Sequence, residues 1–396
     1  METARAAVSS GRAANAYTGT LKTRAAATVA DAHASVVDRE PRFPAEAFAQ
    51  IRKHGLLGTV GPEALGGEGA SLADIVDVCF TLGQSFALTG MIYAMHQIKM
   101  ACLVRDTHGH TGLEKILRRV VTDQLRMASS TTEGQGGGNE RASEAMVERD
   151  GEKISLERKA AVISCGAAAD GIVTTTRRAA GAAASDQVLL VFQKADCTLE
   201  PLQGWDTLGK CGTCSEGFTQ RAKGTAESIG PEPYEKIHAQ TMLPFAHLTW
   251  GAVWTGVAAA ATPRAQAFIR HANGQLPPGA LHFTDAVYSL RTLRGILASS
   301  LRSYEYAMGD EKALTSLEFR STITLKKVQA SELTAGTAMS AMRACGLSGY
   351  RNDGELSIGR HLRQVLSSPI MINNDRILAN LATPSLMTPL PSSISS

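Results

Sequence analysis

The stretch that decides the fold is Arg363-Gln364-Val365-Leu366-Ser367-Ser368-Pro369-Ile370-Met371-Ile372-Asn373-Asn374-Asp375-Arg376-Ile377, in the last part of a chain of 396 residues. It joins a basic residue to an apolar run, a Ser-Ser-Pro segment and a polar Asn-Asp-Arg element. Ile372 lies in its second half, and an aliphatic side chain cannot accept a proton. The significance of Ile372 depends on motifs that precede this stretch along the chain.

The pattern of the chain changes twice, from helical to alternating and back to helical. Apolar residues at three- and four-residue spacing predict helices at 43–56, 72–84 and about 113–123. After about Met127, glycine and threonine become dense. Alternating runs at 145–149, 171–176 and 187–193 predict antiparallel strands of a small β-domain. Helical patterns return from about Phe245.

Composition excludes several classes of function. Hydrophobic residues make up 44% and charged residues 19%, and the net charge of +3 comes from 40 basic and 37 acidic residues mixed along the chain. A nucleic-acid partner is therefore not expected. No run of about 18 apolar residues occurs, so a membrane span is not expected, and residues 250–261 are interpreted as a buried helix.

The seven cysteines are scattered and odd in number, which is typical of reduced thiols in a cytoplasmic protein. Cys211 and Cys214 form a lone CxxC pair. A tetrahedral zinc site needs a second pair of ligands, so no metal site is expected.

Six further motifs precede the 363–377 stretch along the chain. Five of them contain glycines, which would let backbone N–H groups approach a ligand ring closely. The six motifs are the glycine-rich segment 55–69, the run Met127-Ala128-Ser129-Ser130-Thr131-Thr132-Glu133-Gly134-Gln135-Gly136-Gly137-Gly138-Asn139, Val162-Ile163-Ser164, the turn from Trp205 to Ser215, Arg270-His271-Ala272-Asn273-Gly274, and Cys345-Gly346-Leu347-Ser348-Gly349-Tyr350.

In this order, over roughly residues 40–382, the motifs resemble those of the acyl-CoA dehydrogenase family of flavoproteins. The resemblance implies an α+β fold with a helical N-terminal domain, a middle antiparallel β-domain and a C-terminal four-helix bundle. The corresponding boundaries are an N-terminal extension at 1–37, then 38–126, 127–240, 241–382 and a disordered tail at 383–396, where proline and serine are frequent.

The resemblance also implies FAD as the cofactor. Thr132 and Ser164 would lie at the isoalloxazine ring, and Arg270 would pair with the pyrophosphate. The turn at Gly349 serves a neighbouring subunit's cofactor in the family, which implies a dimer or tetramer. The full set of implied cofactor residues is Ser130, Thr132, Gly137, Gly138, Val162, Ser164, Arg270, Gly346, Gly349, Asn374 and Arg376.

The sequence departs from the family at the catalytic base. The family's final loop carries a Glu that removes the substrate's α-proton, and Ile372 takes its place here. Some members carry the base on the first long helix of the C-terminal domain, and that position falls near Ala246. His247 and Asp375 are the nearest titratable residues, but each is displaced from the family position by one or three residues.

Three functions remain open. The first is α,β-dehydrogenation of an acyl thioester, linked to CoA or a carrier protein, with a relocated base and an electron-acceptor protein as a further partner. The second is a flavin monooxygenase on the same fold, which needs no α-proton base. The third is a base-lacking subunit that completes the site of a catalytic paralogue. The first is favoured because the C-terminal motifs resemble dehydrogenases more closely than hydroxylating members.

Overall fold

The computed structural model describes residues 2–107, 109–133, 140–272 and 274–387, with side chains from residue 19 onward. A helical N-terminal domain is followed by a β-domain and then by a C-terminal helical bundle. This order and the α+β class confirm the fold expected from the sequence.

Five helices form the N-terminal domain. A capping box begins the third helix, since the Ser71 hydroxyl accepts from the Asp74 N–H and the Asp74 carboxylate accepts from the Ser71 N–H. The helices are α1 (Glu2–Arg39), α2 (Ala45–Lys53), α3 (Leu72–Ser85), α4 (Ala87–Asp106) and α5 (Thr111–Thr122).

Helix α4 is absent from the sequence-based prediction. It buries 17 of its 20 residues. A helix that is apolar on all sides gives no amphipathic periodicity, which explains why the pattern missed it. Its position inside the core makes α4 one wall of the functional site.

The β-domain contains two sheets, ordered β1-β4-β5 and β2-β3-β7-β6. Most pairs are antiparallel as predicted, but β1 and β4 are parallel, so the domain is mixed. A register shift between Ala160 and Ile163 in β3 marks a bulge next to Val162. The strands are β1 (Met127–Ser130), β2 (Glu148–Asp150), β3 (Lys153–Ser164), β4 (Gly171–Arg177), β5 (Gln187–Gln193), β6 (Cys197–Gln203) and β7 (Ser215–Thr225).

Three long helices dominate the C-terminal bundle, and the short helices α12 and α13 pack against the third of them, so the fourth member of the expected bundle is divided. A π-helical turn (His238–Met242) connects α6 to α7. The helices are α6 (Tyr234–Ile237), α7 (Leu243–Arg270), α8 (Ala280–Ala307), α9 (Glu311–Thr315), α10 (Leu317–Cys345), α11 (Leu347–Tyr350), α12 (Gly359–Val365) and α13 (Asn374–Met387).

Glycines of α3 and α7 lie at the contact between the N-terminal domain and the C-terminal bundle. A Cβ at Gly83 of α3 would lie 2.5 Å from the Val253 carbonyl oxygen of α7, and one at Gly256 would lie 2.3 Å from that of Phe80. The backbones of α3 and α7 therefore pack in direct contact, and one hydrophobic core runs through both domains.

Two local predictions differ from the structure. The strand expected at 145–149 begins only at Glu148. Residues 383–387, expected in a disordered tail, belong instead to α13, which continues to Met387 with Pro384 inside it, and residues 388–396 of that tail lie outside the described part. Residues 2–37 of the expected N-terminal extension lie within α1. Within the described residues, no helix is long and apolar enough to cross a membrane.

Candidate active site

Two adjoining cavities lie where the three domains meet. The smaller cavity has a volume of about 620 Å³ and the larger one about 950 Å³. Both are lined by Glu140, Met242, Trp250 and Ile372. These four residues form the junction between the cavities, so a molecule in one cavity lies next to a molecule in the other.

The wall of the smaller cavity on the β-domain side carries hydroxyl groups. The Ser164 and Ser215 Oγ atoms lie 2.8 Å apart, and the Ser215 and Thr213 hydroxyls are also 2.8 Å apart. Thr132 and Val162, beside the β3 bulge, complete this side. A bulge frees backbone groups from sheet pairing, so this wall can offer both hydroxyl and backbone hydrogen bonds to a ligand.

Another part of the smaller cavity's lining is apolar. Met91, Met95 and Ile98 of α4 line it, and Trp205 and Leu208 lie on the turn that closes one side. Gly209 is required in that turn, because a Cβ there would lie 2.3 Å from the Arg363 carbonyl oxygen of α12. A cavity of this volume with apolar walls and a few polar groups has the character of a cofactor site.

Lys210 is a buried cation in the smaller cavity and is 6% exposed. Burial, and then the charge of Lys327, lowers the pKa of Lys210 to about 7. Its Nζ lies 3.6 Å from the Met371 Sδ and 5.9 Å from the centre of the Trp254 ring. Among the described residues no carboxylate lies in hydrogen-bond reach of Lys210, so its protonated form gives the cavity a charge that suits an anionic ligand group.

The larger cavity is lined by Ile372 and Ala246, the residues that the sequence resemblance aligns with the family's two base positions. His247 also lines it, lies 6.2 Å from Trp250 between ring centres, and has an Nδ1 atom without a partner among the described residues. Burial, followed by the charges of Lys327 and His238, lowers the His247 pKa to about 3. His247 is therefore neutral at physiological pH.

Glu140 and His238 form a second pair of titratable groups at the cavities. The His238 Nε2 lies 3.8 Å from the Glu140 Oε2. Burial lowers the pKa of His238 to about 3. Burial also raises the pKa of Glu140, and the charges of Lys99 and Arg376 oppose this rise. Glu140 is the one carboxylate that reaches both cavities among the described residues.

The backbone at Ile372 is in the left-handed region, with φ of 57°, and Asn373 follows with φ of 46°. A β-branched residue rarely adopts this conformation, so the surrounding structure must hold it. Lys327 of α10 does so by donating to the Met371 carbonyl at 2.6 Å and to the Asn374 Oδ1 at 2.7 Å. Asn374 in turn donates to Ser331 at 2.9 Å.

The structure brings some of the sequence-predicted residues to the cavities. Thr132, Val162 and Ser164 line the smaller cavity, while Ala246, His247 and Arg376 line the larger one and Ile372 lines both. Asn374 lies instead in the buried Lys327 network, and Ser130 is fully buried with its Oγ unpartnered among described atoms. Asp375 is exposed and lines neither cavity.

A second group lies at the far end of the bundle. Arg270 is exposed and lies twenty residues beyond Trp250 on α7, roughly 30 Å along the helix. Gly346 and Gly349 lie just after α10, whose last turn packs against Gly279 at the same end. These three positions stay predictions, as do Gly137 and Gly138, which lie outside the described residues.

The sequence interpretation missed Lys210, Glu140 and His238. A lysine inside a turn that otherwise resembles a flavin motif was the available signal for Lys210. Glu140 immediately follows the glycine-rich run, and nothing in its neighbours indicates burial. His238 lies in a π-helical turn, a feature that often accompanies functional sites but has no sequence signature here.

Comparison with known proteins agrees with this geometry. Residues 16–122 match the model of the acyl-CoA dehydrogenase N-terminal domain. The structure of KijD3 in complex with FMN and dTDP-3-amino-2,3,6-trideoxy-4-keto-3-methyl-D-glucose superposes with a TM-score of 0.81 at 18% identity, covering 95% of both chains. No curated protein sequence matches the chain.

Two further solved structures share the fold. FMN-bound TdsC, a dibenzothiophene monooxygenase from Paenibacillus sp. A11-2, has a TM-score of 0.78 at 15% identity and covers 96% of this chain and 100% of its own. The prolyl acyl carrier protein oxidase AnaB has a TM-score of 0.76 at 16% identity and covers 93% of this chain and 98% of its own.

Proposed function

We propose that the chain, whose residues 16–122 match the acyl-CoA dehydrogenase N-terminal domain, is a flavin-dependent monooxygenase that does not rely on α-proton abstraction. The observation that carries this proposal is the lining of the larger cavity. Ile372, at the junction with the smaller cavity, and Ala246 are the residues that the sequence resemblance aligns with the two base positions of the family, and neither side chain can take a proton. Oxygen insertion needs no α-proton base, whereas dehydrogenation loses roughly 10² to 10⁴-fold without one.

The smaller cavity fits a flavin. The hydroxyl groups of Thr132, Ser164 and Ser215 line it together with apolar side chains. The buried Trp250 Nε1 at the junction has no partner among the described residues and could donate to a ligand. When bound, reduced flavin would supply the electrons that activate dioxygen. The hydroxyls would hold the ring, the Met residues of α4 would exclude water, and Lys210 would balance negative charge on the cofactor.

FMN is the form that we propose, in place of the FAD implied by the sequence resemblance. Arg270, the residue expected at a pyrophosphate, lies roughly 30 Å from Trp250 within the same chain. KijD3 and TdsC, which share the fold, are both known with FMN. Binding of FAD would require Arg270 and the Gly346 turn of a second copy of the chain. A dimer or tetramer is therefore expected if FAD is the cofactor, as the family resemblance also implies.

A specific observation also favours a second candidate, oxidation of an acyl thioester. The Glu140 carboxylate lines both cavities, and burial raises its pKa, as is typical of a general base or acid. The oxidase AnaB shares the fold. In this candidate Glu140, and not Ile372, Ala246, His247 or Asp375, would take the substrate's proton.

The deciding experiment separates the use of oxygen from the use of a base. The purified chain is given FMN or FAD, and flavin retained after gel filtration is measured. Chemically reduced flavin is then supplied in ¹⁸O₂ with panels of amines, thioethers, sulfinates and acyl thioesters. We expect product that is heavier by one ¹⁸O atom and no flavin bleaching when acyl thioesters are mixed without oxygen.

Anaerobic bleaching that disappears in Glu140→Gln would overturn the monooxygenase proposal in favour of the oxidase. If the chain binds neither FMN nor FAD alone, but binds flavin together with a paralogue that carries the family Glu, the chain is a partner subunit.

A further inference from the structure

The larger cavity has an unusual concentration of arginine. Arg141, Arg320 and Arg376 line it, from the loop before β2, from α10 and from α13 respectively, while Glu140 and Glu235 are its acidic residues. Arg141 is exposed, whereas Arg320 and Arg376 are half-buried. Three separate parts of the fold thus bring guanidinium groups to one cavity, which also contains Trp250 and Ile372 of the junction.

These charges act on one another. Burial lowers the pKa of Arg320, the nearby charge of Arg141 lowers it further, and Glu235 acts in the opposite direction. The same two arginines help to lower the pKa of His238. Within the described part of the chain, no carboxylate forms a salt bridge with Arg320. Arg141 and Arg320 are therefore close enough for their charges to interact, and an anion bound between them would be attracted by both.

The position of the arginines relative to the junction is equally informative. Arg320 lies one helical turn from Thr324 on α10, and both line the larger cavity, as do Trp250 and Ile372 at the junction with the smaller one. A ligand held by the arginines at one end would therefore present its other end to the smaller cavity. Arginines and apolar side chains in one cavity suit a ligand with an anionic part and an apolar part.

We propose that the larger cavity binds substrates through an anionic oxygen group, of the phosphoryl or sulfonyl type, which Arg141 and Arg320 hold together while the reacting part lies at Trp250 and Ile372. Guanidinium groups bind such oxyanions in bidentate fashion, and two of them match a group with several oxygen atoms. This inference rests on the proposed function only for the reaction at the junction. The anion site itself does not depend on it.

The test measures anion binding without turnover. Isothermal titration of the FMN-saturated full chain is performed with inorganic pyrophosphate, inorganic phosphate, methanesulfonate and acetate at constant ionic strength. We expect the oxyanions with three or more oxygen atoms to bind more tightly than acetate. Arg320→Gln should weaken pyrophosphate binding by at least about tenfold, since hydrogen bonds between charged groups are worth about one such factor or more. Arg320→Lys should restore only part of the loss.

Arg302→Gln is the matched control, because Arg302 is an exposed arginine on α8 that lines neither cavity. An equal loss in Arg302→Gln and Arg320→Gln would show that only net charge matters and would overturn the inference. If Arg320→Gln proves unstable in thermal melts, Arg141→Gln, at an exposed position, provides the same comparison. Wild-type protein that binds no anion at millimolar concentration also overturns it.

The two proposals fail separately. If the chain retains no flavin but binds pyrophosphate through Arg320, the monooxygenase assignment is wrong and the anion site stands. If flavin is retained and oxygen is inserted into neutral and anionic substrates equally, with no effect of Arg320→Gln, the function stands and the anion site is wrong.

Discussion

The two cavities differ in how their walls are built. The smaller cavity is lined largely by hydroxyls, methionines and close backbone contacts, and most of the sequence motifs at the site lie along it, whereas Arg141 and Arg320 of the larger cavity come from elements with no motif. A motif records residues that backbone geometry restricts, but a long side chain can reach a cavity from many backbone positions. If the smaller cavity binds the cofactor and the larger one the substrate, as proposed, cofactor binding is easier to recognise in a single sequence than substrate selection.

The largest effect is expected where one residue supports both cavities. Lys327→Met removes donors to the carbonyls of Met371 and Ser368 and to Asn374, leaving buried acceptors without partners. We expect a loss of about 3 kcal/mol in the free energy of unfolding, measured by urea denaturation. Lys326→Met, next to it on α10 and hydrogen-bonded only to Ser299 and Ser303 among the described residues, should cost under about 1 kcal/mol. Equal losses would mean that Lys327 does not hold the shared wall.

Lys210→Met should weaken ligand binding in the smaller cavity and leave binding in the larger cavity unchanged. Flavin affinity should fall about tenfold through loss of the buried charge, measured by fluorescence titration, while pyrophosphate binding stays within about twofold of wild type. A variant in which both affinities fall together would contradict the separation of the two cavities.

The same substitution changes the pH dependence of stability. The Lys210 pKa is lowered to about 7 in the folded chain from 10.5, so the unfolded chain binds more protons between these values. Stability should therefore rise with pH across that window, by at most about 1.4 kcal/mol per pH unit from this group, and the penalty should be fully present below pH 7. Denaturation midpoints at pH 6, 8 and 9.5 should show a smaller rise in Lys210→Met than in wild type.

Ile372→Glu tests whether the junction is a dehydrogenase site that lacks only its base. On the monooxygenase proposal, the new carboxylate should not produce anaerobic flavin reduction by acyl thioesters above the wild-type level. A gain of about 10² to 10⁴-fold in stopped-flow bleaching would show that only the base was missing. Ile372→Gln, which has the same shape without the charge, separates a charge effect from a packing effect.

The smallest effect is expected at Asp375. It is exposed and lines neither cavity, so Asp375→Asn should change the free energy of unfolding by less than about 0.5 kcal/mol and leave turnover within error. A loss of turnover with unchanged stability would mean that Asp375, which the sequence offers only as a titratable residue near the base position, takes part in the reaction.

The order of domains was predictable because hydrophobic periodicity reports helices and strands directly. Thr132, Val162 and Ser164, which line the smaller cavity, were expected at a cofactor site because their motifs resemble those of the acyl-CoA dehydrogenase family. Glu140 and Arg320 were not predictable, because a long side chain can point to solvent or to a cavity from the same sequence. Helix α4 was missed because burial on all sides removes the pattern that identifies a helix.

The two buried lysines near Trp254 have an optical consequence. The Nζ atoms of Lys210 and Lys327 lie 5.9 and 5.7 Å from the centre of the Trp254 ring, and the lowered pKa values of both lysines, about 7 and about 8, fall close to neutrality. Each proton lost removes a positive charge beside the indole and changes the electric field across it. The emission wavelength of Trp254 should therefore change as these lysines at the smaller cavity lose their protons, which makes Trp254 an intrinsic fluorescent probe of that charge.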